Sequence, residues 1–276
     1  MTRKVAMKSF LDGIARGTRH IALQSKLARM TRRFQHWSGE DQGRLDFYSQ
    51  FAGPGSLVFD VGANVGNRSK VFIKLGAKVV GVEPQSFCAN FLARVFRNEP
   101  NFQLVQKALG AAPGESEIML SKTTTLSTMS KEWVEAVKAT NRFEKATWEQ
   151  TQTVEVETLD RLIAQYGRPD FVKVDVEGFE EQVVLGLSQS VGILSLETTP
   201  EFLTKTFRCI DRCLSIGPCE FQVSYGETMT FKLPDWVSAD EIRSELLTMK
   251  NGDFGDLYIR FCESVPPRCE AGKLPR

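Results

Sequence analysis

Short apolar runs alternate with amphipathic segments along the chain from residue 57 onward. In the amphipathic segments, apolar residues recur every three or four positions, which is typical of helices with one buried face. The short runs are typical of buried strands, and their alternation with helices predicts a parallel sheet covered on both faces. We therefore expect a doubly wound α/β fold. Strands are predicted at residues 57–61, 78–83, 102–106, 171–176, 193–197, 220–225 and 256–262.

Residues 112–157 interrupt this alternation. Two stretches within them, 118–120 and 154–156, are predicted to pair as a hairpin, and a polar stretch at 123–130 lies between the two. We expect an insertion that lies over the ligand site. The polar stretch is equally compatible with an ordinary surface loop.

The N-terminal segment differs from the rest of the chain in its charge. Residues 1–36 carry nine basic side chains and one acidic side chain, so their net charge is +8, and the remainder of a chain of net charge +1 carries −7. We predict a basic helical arm at residues 1–50 and one main domain at residues 51–276. An apolar stripe at helical spacing in the arm comprises Leu23, Leu27, Met30, Phe34 and Trp37.

This arm has two interpretations. In the first, its helix packs on the domain and keeps a solvated basic side. In the second, its basic side chains contact anionic lipid headgroups, nucleic acid or an acidic partner.

The composition fits a folded protein with one main domain. The chain has 276 residues, 42% of them apolar, and no low-complexity tract divides it. No apolar run approaches the roughly 18 to 20 residues that span a bilayer, and the N-terminus lacks a secretory signal, so we expect a cytoplasmic location. The six cysteines form no CxxC pair and are predicted to be reduced and mostly buried, although the three between residues 209 and 219 leave a metal or redox site open.

Histidine is nearly absent from the sequence. The two histidines, His20 and His36, both lie in the predicted arm. A Ser-His-Asp hydrolase, a Cys-His protease and a histidine-ligated zinc enzyme each need an imidazole in the folded domain. The sequence therefore argues against these three classes.

Acidic residues mark the ends of four predicted strands: Asp60, Glu83, Asp175 and Glu197. In open parallel sheets, ligands bind beyond the carboxyl ends of the strands, where the strand order reverses. A single carboxylate there is equally compatible with a helix cap or a loop anchor. Four of them together indicate a ligand site.

The turn after the first strand indicates which ligand this is. It contains Gly62, Asn64 and Gly66, and Glu83 follows about 20 residues later, the spacing at which a carboxylate grips a ribose diol. A dinucleotide site needs a second glycine at the position that Asn64 occupies, because backbone amides must approach the pyrophosphate. We therefore expect an adenosine cofactor without phosphates. S-adenosylmethionine fits, because its positive sulfonium and ammonium suit an acidic rim.

Beyond these single residues, a series of motifs resembles the FkbM-type methyltransferase family. They are FDVGANVGNRS, GVEPQ, ALGAAPG, TLDRLIAQYGRPDFVKVDVEGFEEQVVLGL and FGDLYIR, between about residues 55 and 262. The resemblance implies a class I methyltransferase fold, which is a Rossmann-like, mostly parallel sheet of seven strands whose last strand is antiparallel. It also implies S-adenosylmethionine-dependent methyl transfer, commonly to a hydroxyl of a sugar, lipid or natural product.

The resemblance further implies roles for individual residues. It places Glu83 on the ribose, Ala108 near the adenine and Asp175 beside the methyl group. The predicted arm lies outside the shared region. The positions implied to surround the methionine moiety are Asp60, Gly62, Asn64 and Gly66.

A hydroxyl acceptor must lose its proton, and without a histidine in the domain a carboxylate is the expected base. Asp175 is our first choice for the base or orienting group, followed by Glu177 and Glu197. The two-residue period of a strand places Lys173 on the same side as Asp175, so an ion pair that keeps Asp175 ionised is expected. Asp175 and Glu177 are also compatible with a role as helix caps. The carboxylates could instead hold Mg²⁺, although no metal site is predicted.

Three other functions remain open from the sequence. A nicotinamide-dependent oxidoreductase or epimerase would share the architecture, although Asn64 argues against it. A nucleic-acid-binding protein or RNA methyltransferase would use the basic arm, but the acidic remainder makes nucleic acid an unexpected partner. The third is an interaction protein with a degenerate cofactor pocket. The sequence predicts no oligomeric state.

Overall fold

The computed structural model describes residues 27–139, 143 and 146–262. Within these residues, seven strands form a central sheet, and a smaller three-stranded sheet lies beside it. In chain order, the strands are β1 (Leu57–Val61), β2 (Lys78–Val82), β3 (Phe102–Val105), β4 (Ala108–Leu109), β5 (Gly114–Leu120), β6 (Gln150–Glu157), β7 (Phe171–Val174), β8 (Ile193–Thr198), β9 (Cys219–Tyr225) and β10 (Gly255–Phe261).

The order of the central sheet is β3-β2-β1-β7-β8-β10-β9. Within this sheet, neighbouring strands among β3, β2, β1, β7 and β8 pair in parallel. The strand β10 is antiparallel to both of its neighbours, β8 and β9. The strand order reverses between β1 and β7, which creates a crevice at their carboxyl ends. The mostly parallel, seven-stranded α/β fold with an antiparallel last strand is therefore confirmed.

Helices cover both faces of this sheet. They are α1 (Gly39–Tyr48), α2 (Asn67–Lys74), α3 (Ser86–Val95), α4 (Lys131–Ala139), α5 (Leu159–Tyr166), α6 (Glu180–Leu185), α7 (Leu203–Ile216) and α8 (Ala239–Leu246). Along β1, Phe59 joins a core cluster with Leu159 of α5 and Ile210 of α7, while Val58 joins a second cluster with Tyr48 of α1. Alternate residues of one strand thus contact opposite helical layers, as expected for a doubly wound fold.

Most of the predicted strand ends agree closely with the structure. After β6, the Thr158 hydroxyl accepts a hydrogen bond from the Arg161 amide and caps the start of α5. The predicted strand at 171–176 is too long by two residues, because its parallel partner β1 ends at Val61, which pairs with Val174. Asp175 is thereby released from the sheet into the loop that follows β7.

Gly62 permits a close contact between the two central strands. Its φ is +83°, and a Cβ atom at this position would lie 1.9 Å from the carbonyl oxygen of Asp175. The Asp175 amide also donates a hydrogen bond to the carbonyl of Val61 at 3.0 Å. A side chain at Gly62 would therefore push apart the loops that form the crevice.

We predict that Gly62→Ala lowers the free energy of unfolding by roughly 2 to 5 kcal/mol, from backbone strain together with steric overlap. The matched control is Gly55→Ala, because Gly55 has a φ of +88° but no atom within 4 Å of an added Cβ. That variant should lose only about 1 to 2 kcal/mol. Urea unfolding measures both values, and equal losses would show that the close contact is not important.

The insertion forms its own small sheet beside the crevice. As predicted, the stretches at 118–120 and 154–156 belong to paired strands, since β5 is antiparallel to β6. They do not form a short hairpin, because residues 121–149 lie between them and include α4. Backbone hydrogen bonds in both directions between Met119 and Thr128 fold the polar stretch at 123–130 back onto β5.

The described part of the arm packs on the domain. Residues 27–35 are helical, and the ring of Phe34 makes edge contacts with Phe91 and Phe96. Arg29, Arg32 and Arg33 are exposed, whereas Leu23 lies outside the described residues. The predicted boundary at residue 50 stays a prediction, although α1 precedes it and buries Phe47 and Tyr48 in the core.

Contact of the arm with an anionic membrane or an acidic partner stays a prediction, as does the cytoplasmic location. Among residues 27–139, 143 and 146–262, no helix combines the length and apolar character that crossing a bilayer requires.

Candidate active site

A cleft of about 310 Å³ lies at the carboxyl ends of β1, β2, β7 and β8. This volume is at the lower end of those found for small-molecule sites. The sequence-predicted site residues that line it are Asp60, Gly62, Asn64, Glu83, Ala108, Asp175, Glu177 and Glu197. The structure thus brings eight of the nine candidates into one cleft.

Gly66 is the candidate that does not line the cleft. It is the N-cap residue of α2 with a φ of +82°, and a Cβ there would meet Leu92, Phe96 and Phe34. The described geometry therefore gives Gly66 a packing role: it lets α2 begin close to α3 and to the helical segment at 27–35.

Asp60 lies in β1 with its side chain almost completely buried. Its carboxyl group accepts a hydrogen bond from the hydroxyl of Ser69 in α2. Burial raises the pKa of Asp60, and the Ser69 hydrogen bond only partly offsets that effect. The side chain ties β1 to α2 at the base of the cleft.

Asn64 connects the glycine turn to both β2 and the insertion. Its φ is +48°, a conformation that asparagine tolerates better than most residues. Its backbone amide donates to Glu83 Oε2 at 2.8 Å, and its side-chain oxygen accepts from the Thr124 hydroxyl at 3.2 Å. The insertion is thus attached directly to the turn.

Glu83 is a buried carboxylate held by backbone amides. Besides Asn64, the amide of Gln85 donates to it at 2.7 Å, and the residue is only 2% exposed. A carboxylate has about four acceptor sites, so these two bonds leave two for a ligand diol. Burial raises the pKa of Glu83 to about 7, although the two backbone amides lower it.

We predict that the affinity for S-adenosylmethionine increases with pH through this carboxylate. Below pH 7 Glu83 holds a proton and loses acceptor capacity, so the dissociation constant should be about 10-fold higher at pH 6 than at pH 8. Calorimetry at both pH values measures it. Glu83→Gln should bind more weakly and should not show this pH dependence. An equal pH dependence in the variant would assign the effect to another group.

Three carboxylates converge at the other side of the cleft. Oxygen atoms of Asp175, Glu177 and Glu197 all lie within 4.8 Å of one another. Burial, together with the charges of Glu177 and Asp175, raises the pKa of Glu197 well above its usual range. A carboxyl group with a raised pKa can keep its proton and donate a hydrogen bond to a hydroxyl ligand. The same oxygen set could also hold a divalent cation.

Lys173 lies beneath these carboxylates and is only 1% exposed. Its ammonium group lies 3.4 Å from Asp175, which confirms the predicted ion pair, and 2.9 Å from Asp256. Burial alone would lower the pKa of Lys173, but Asp175 and Asp256 raise it above its usual range. Lys173 is therefore protonated, and its ion pair holds the carboxylate of Asp175 in place.

Several residues that line the cleft were not predicted from the sequence. Thr128 of the polar stretch donates to the backbone carbonyl of Glu177 at 2.6 Å, so this stretch is part of the site and not an ordinary surface loop. The unpredicted lining residues with ionisable side chains are Arg44, Arg68, Lys107 and Glu227. Asp256 is not part of the lining but pairs with Lys173, and it could have been noticed as an acidic residue in an apolar predicted strand.

Several solved structures are similar to this chain over most of its length. A similar solved structure is a precorrin-6y C5,15-methyltransferase from Geobacter metallireducens, with 12% identity, 79% of this chain and 87% of that chain covered, and a TM-score of 0.43. Another is a TehB-like SAM-dependent methyltransferase from Corynebacterium glutamicum, with 9% identity and a TM-score of 0.42. The match covers 89% of this chain and 100% of that chain. A third is an O-methyltransferase from Bacillus cereus in complex with SAH, with 9% identity and a TM-score of 0.41. The match covers 86% of this chain and 91% of that chain.

A search among curated proteins finds no match. In contrast, the family described as the methyltransferase FkbM domain matches residues 60–251, which is more than half of the chain. The matched region contains the glycine turn, Glu83 and the three converging carboxylates. The chain therefore belongs to the FkbM methyltransferase family.

Proposed function

We propose that this protein is an S-adenosylmethionine-dependent O-methyltransferase whose acceptor is a hydroxyl of a sugar, lipid or natural product. One observation carries the proposal. A single cleft joins a buried ribose-type carboxylate, Glu83, to the converging carboxylates Asp175, Glu177 and Glu197. The first group suits a nucleoside cofactor, and the second suits an acceptor that must lose a proton.

The residues of the turn fit this cofactor better than a dinucleotide. Glu83 keeps two acceptor sites for the ribose hydroxyls, and Ala108, which is buried in β4, leaves an apolar wall for the adenine. The Asn64 side chain occupies the place where a pyrophosphate would need bare backbone. Asp60 and Gly62 would adjoin the methionine moiety.

When bound, S-adenosylmethionine supplies a methyl group activated by its sulfonium. The protein must then orient the acceptor oxygen, accept its proton and exclude water. Asp175 accepts that proton at its carboxylate, because Lys173 holds the group in place at the cleft edge. Glu197 keeps its own proton through its raised pKa and donates a hydrogen bond that orients the acceptor.

The insertion supports a polar acceptor. Thr124, Thr125, Ser127 and Thr128 line the same cleft as the carboxylates, so both hydroxyl and carboxylate groups are available to an acceptor. Such a lining matches a hydroxyl-rich acceptor through many weak hydrogen bonds.

The test is methyl transfer from radiolabelled S-adenosylmethionine to separated glycan, lipid and small-molecule fractions of a cell extract. We expect label in one fraction as a base-stable methyl ether, identified by mass spectrometry. A base-labile methyl ester or an N-methyl product would contradict O-methylation of a hydroxyl. No transfer to any fraction by protein that binds the cofactor would contradict the proposed acceptor classes.

A further inference from the structure

Two arginines of the cleft meet at one carboxylate that the proposed reaction does not use. Arg44 of α1 and Arg68 of α2 contact opposite oxygens of Glu227, at 3.1 and 2.9 Å. The arginine side chains are only 11% and 16% exposed, whereas that of Glu227 is 49% exposed. The two arginine side chains are therefore mostly buried, and Glu227 contacts them from the protein surface.

Both guanidinium groups retain unused donors. The Nε atoms of Arg44 and Arg68 are buried and have no hydrogen-bond partner among the described residues. A buried donor without a partner is costly, and an arginine edge matches a carboxylate with two parallel hydrogen bonds. Both side chains also line the cleft, so a ligand in the cleft can reach the guanidinium groups.

The two arginines differ in how many acidic partners they have. Burial opposes the charge of Glu227, but Arg68 and Arg44 outweigh this effect and lower the pKa of Glu227. Arg44 also lies 3.7 Å from Asp41 and from Glu40, although Asp41 is held more closely by Lys70, at 2.7 Å, and Glu40 is largely exposed to solvent. Among the described residues, Glu227 is the one ion-pair partner of Arg68, so Arg68 has more donors left for an additional carboxylate.

The position of the two arginines indicates which ligand carries that carboxylate. Arg68 lies in the first turn of α2, directly after the glycine turn that would adjoin the methionine moiety. The other cations that line the cleft are Lys107 and Lys173. Lys107 is paired with Glu155 at 3.1 Å beside the adenine wall, and Lys173 is enclosed by two carboxylates.

We propose that Arg44 and Arg68 form the subsite that binds the carboxylate of the methionine moiety, with Glu227 holding the two guanidinium groups apart and in place. This assignment rests on the proposed cofactor. It makes the arginine pair the feature that selects S-adenosyl amino acids over nucleosides that lack a carboxylate.

The experiment compares two ligands that differ only in this carboxylate, S-adenosylmethionine and decarboxylated S-adenosylmethionine, by calorimetry. In Arg68→Gln and in Arg44→Gln, the dissociation constant for S-adenosylmethionine should rise about 10- to 100-fold, while that for the decarboxylated ligand changes by less than about 3-fold. Lys107→Gln is the control, since it removes a cleft cation at the adenine end and should leave the ratio of the two constants unchanged.

Binding of the decarboxylated ligand also reports whether each variant is folded. If a variant weakens both ligands equally, its arginine stabilises the cleft and does not bind the carboxylate, which overturns the assignment. Unchanged affinity for S-adenosylmethionine in both arginine variants would overturn it as well. If neither ligand binds to the wild-type protein, the proposed cofactor is wrong and this assignment fails with it.

Discussion

Asp175→Asn should lower the rate of methyl transfer by about 100-fold or more, because an amide cannot accept the proton of the acceptor hydroxyl. Cofactor affinity should stay within about 3-fold of wild type, since the cofactor contacts assigned to Glu83 are unchanged. The fold should also persist, because Lys173 keeps its closer partner Asp256. Initial rates with the labelled cofactor and calorimetry with S-adenosylhomocysteine measure the two quantities.

Two further variants make this prediction specific. Asp211→Asn, which removes a mostly exposed carboxylate paired with Arg243, should leave the rate unchanged. Glu197→Gln should lower the rate by less than about 10-fold, because the amide imitates the hydrogen-bond donor that the protonated carboxyl provides. Full turnover in Asp175→Asn would remove Asp175 as the catalytic base. A larger loss in Glu197→Gln would transfer that role to Glu197.

Lys173→Met should lower the free energy of unfolding by about 3 to 5 kcal/mol, because it leaves the buried carboxylate of Asp256 without its cation. The double variant Lys173→Met/Asp256→Leu should recover most of that loss, since replacing a whole buried ion pair by apolar groups is often neutral. Urea unfolding of the single and double variants measures both. A single variant within about 1 kcal/mol of wild type would contradict the importance of this pair.

The central part of the site was predictable from the sequence because parallel strands end at a common edge. Asp60, Glu83, Asp175 and Glu197 each lie at or next to the carboxyl end of a strand, so the fold alone brings them together. Side chains two residues apart in a strand point to the same side of the sheet, so the sequence also predicts that Lys173 lies close to Asp175. No knowledge of long-range packing was needed for these predictions.

Asp256 could not be placed in the same way, because β10 runs in the opposite direction. Its amino end, not its carboxyl end, lies at the cleft edge, and the register pairs Asp256 with Glu197. Nothing local in the sequence of β10 specifies that register. The end of a strand therefore predicts a site residue only when the direction of the strand is known.

Arg44 and Glu227 were missed for a related reason. They lie far apart in the chain, in α1 and in the segment after β9, and packing around the α2 N-terminus brings them together. Gly66 is the opposite case: its place in a ligand-binding motif predicted a cofactor contact, which stays a prediction, while its local geometry serves helix packing. Motif membership does not separate these two uses of a glycine.

Calorimetry of the purified protein with S-adenosylmethionine, S-adenosylhomocysteine and NADH tests which cofactor the cleft binds. The cleft is assigned to a phosphate-free nucleoside that carries a methionine or homocysteine chain, so the first two ligands should bind and NADH should not. Binding of NADH without binding of either S-adenosyl ligand would show that the cleft holds a dinucleotide and that the proposed cofactor is wrong.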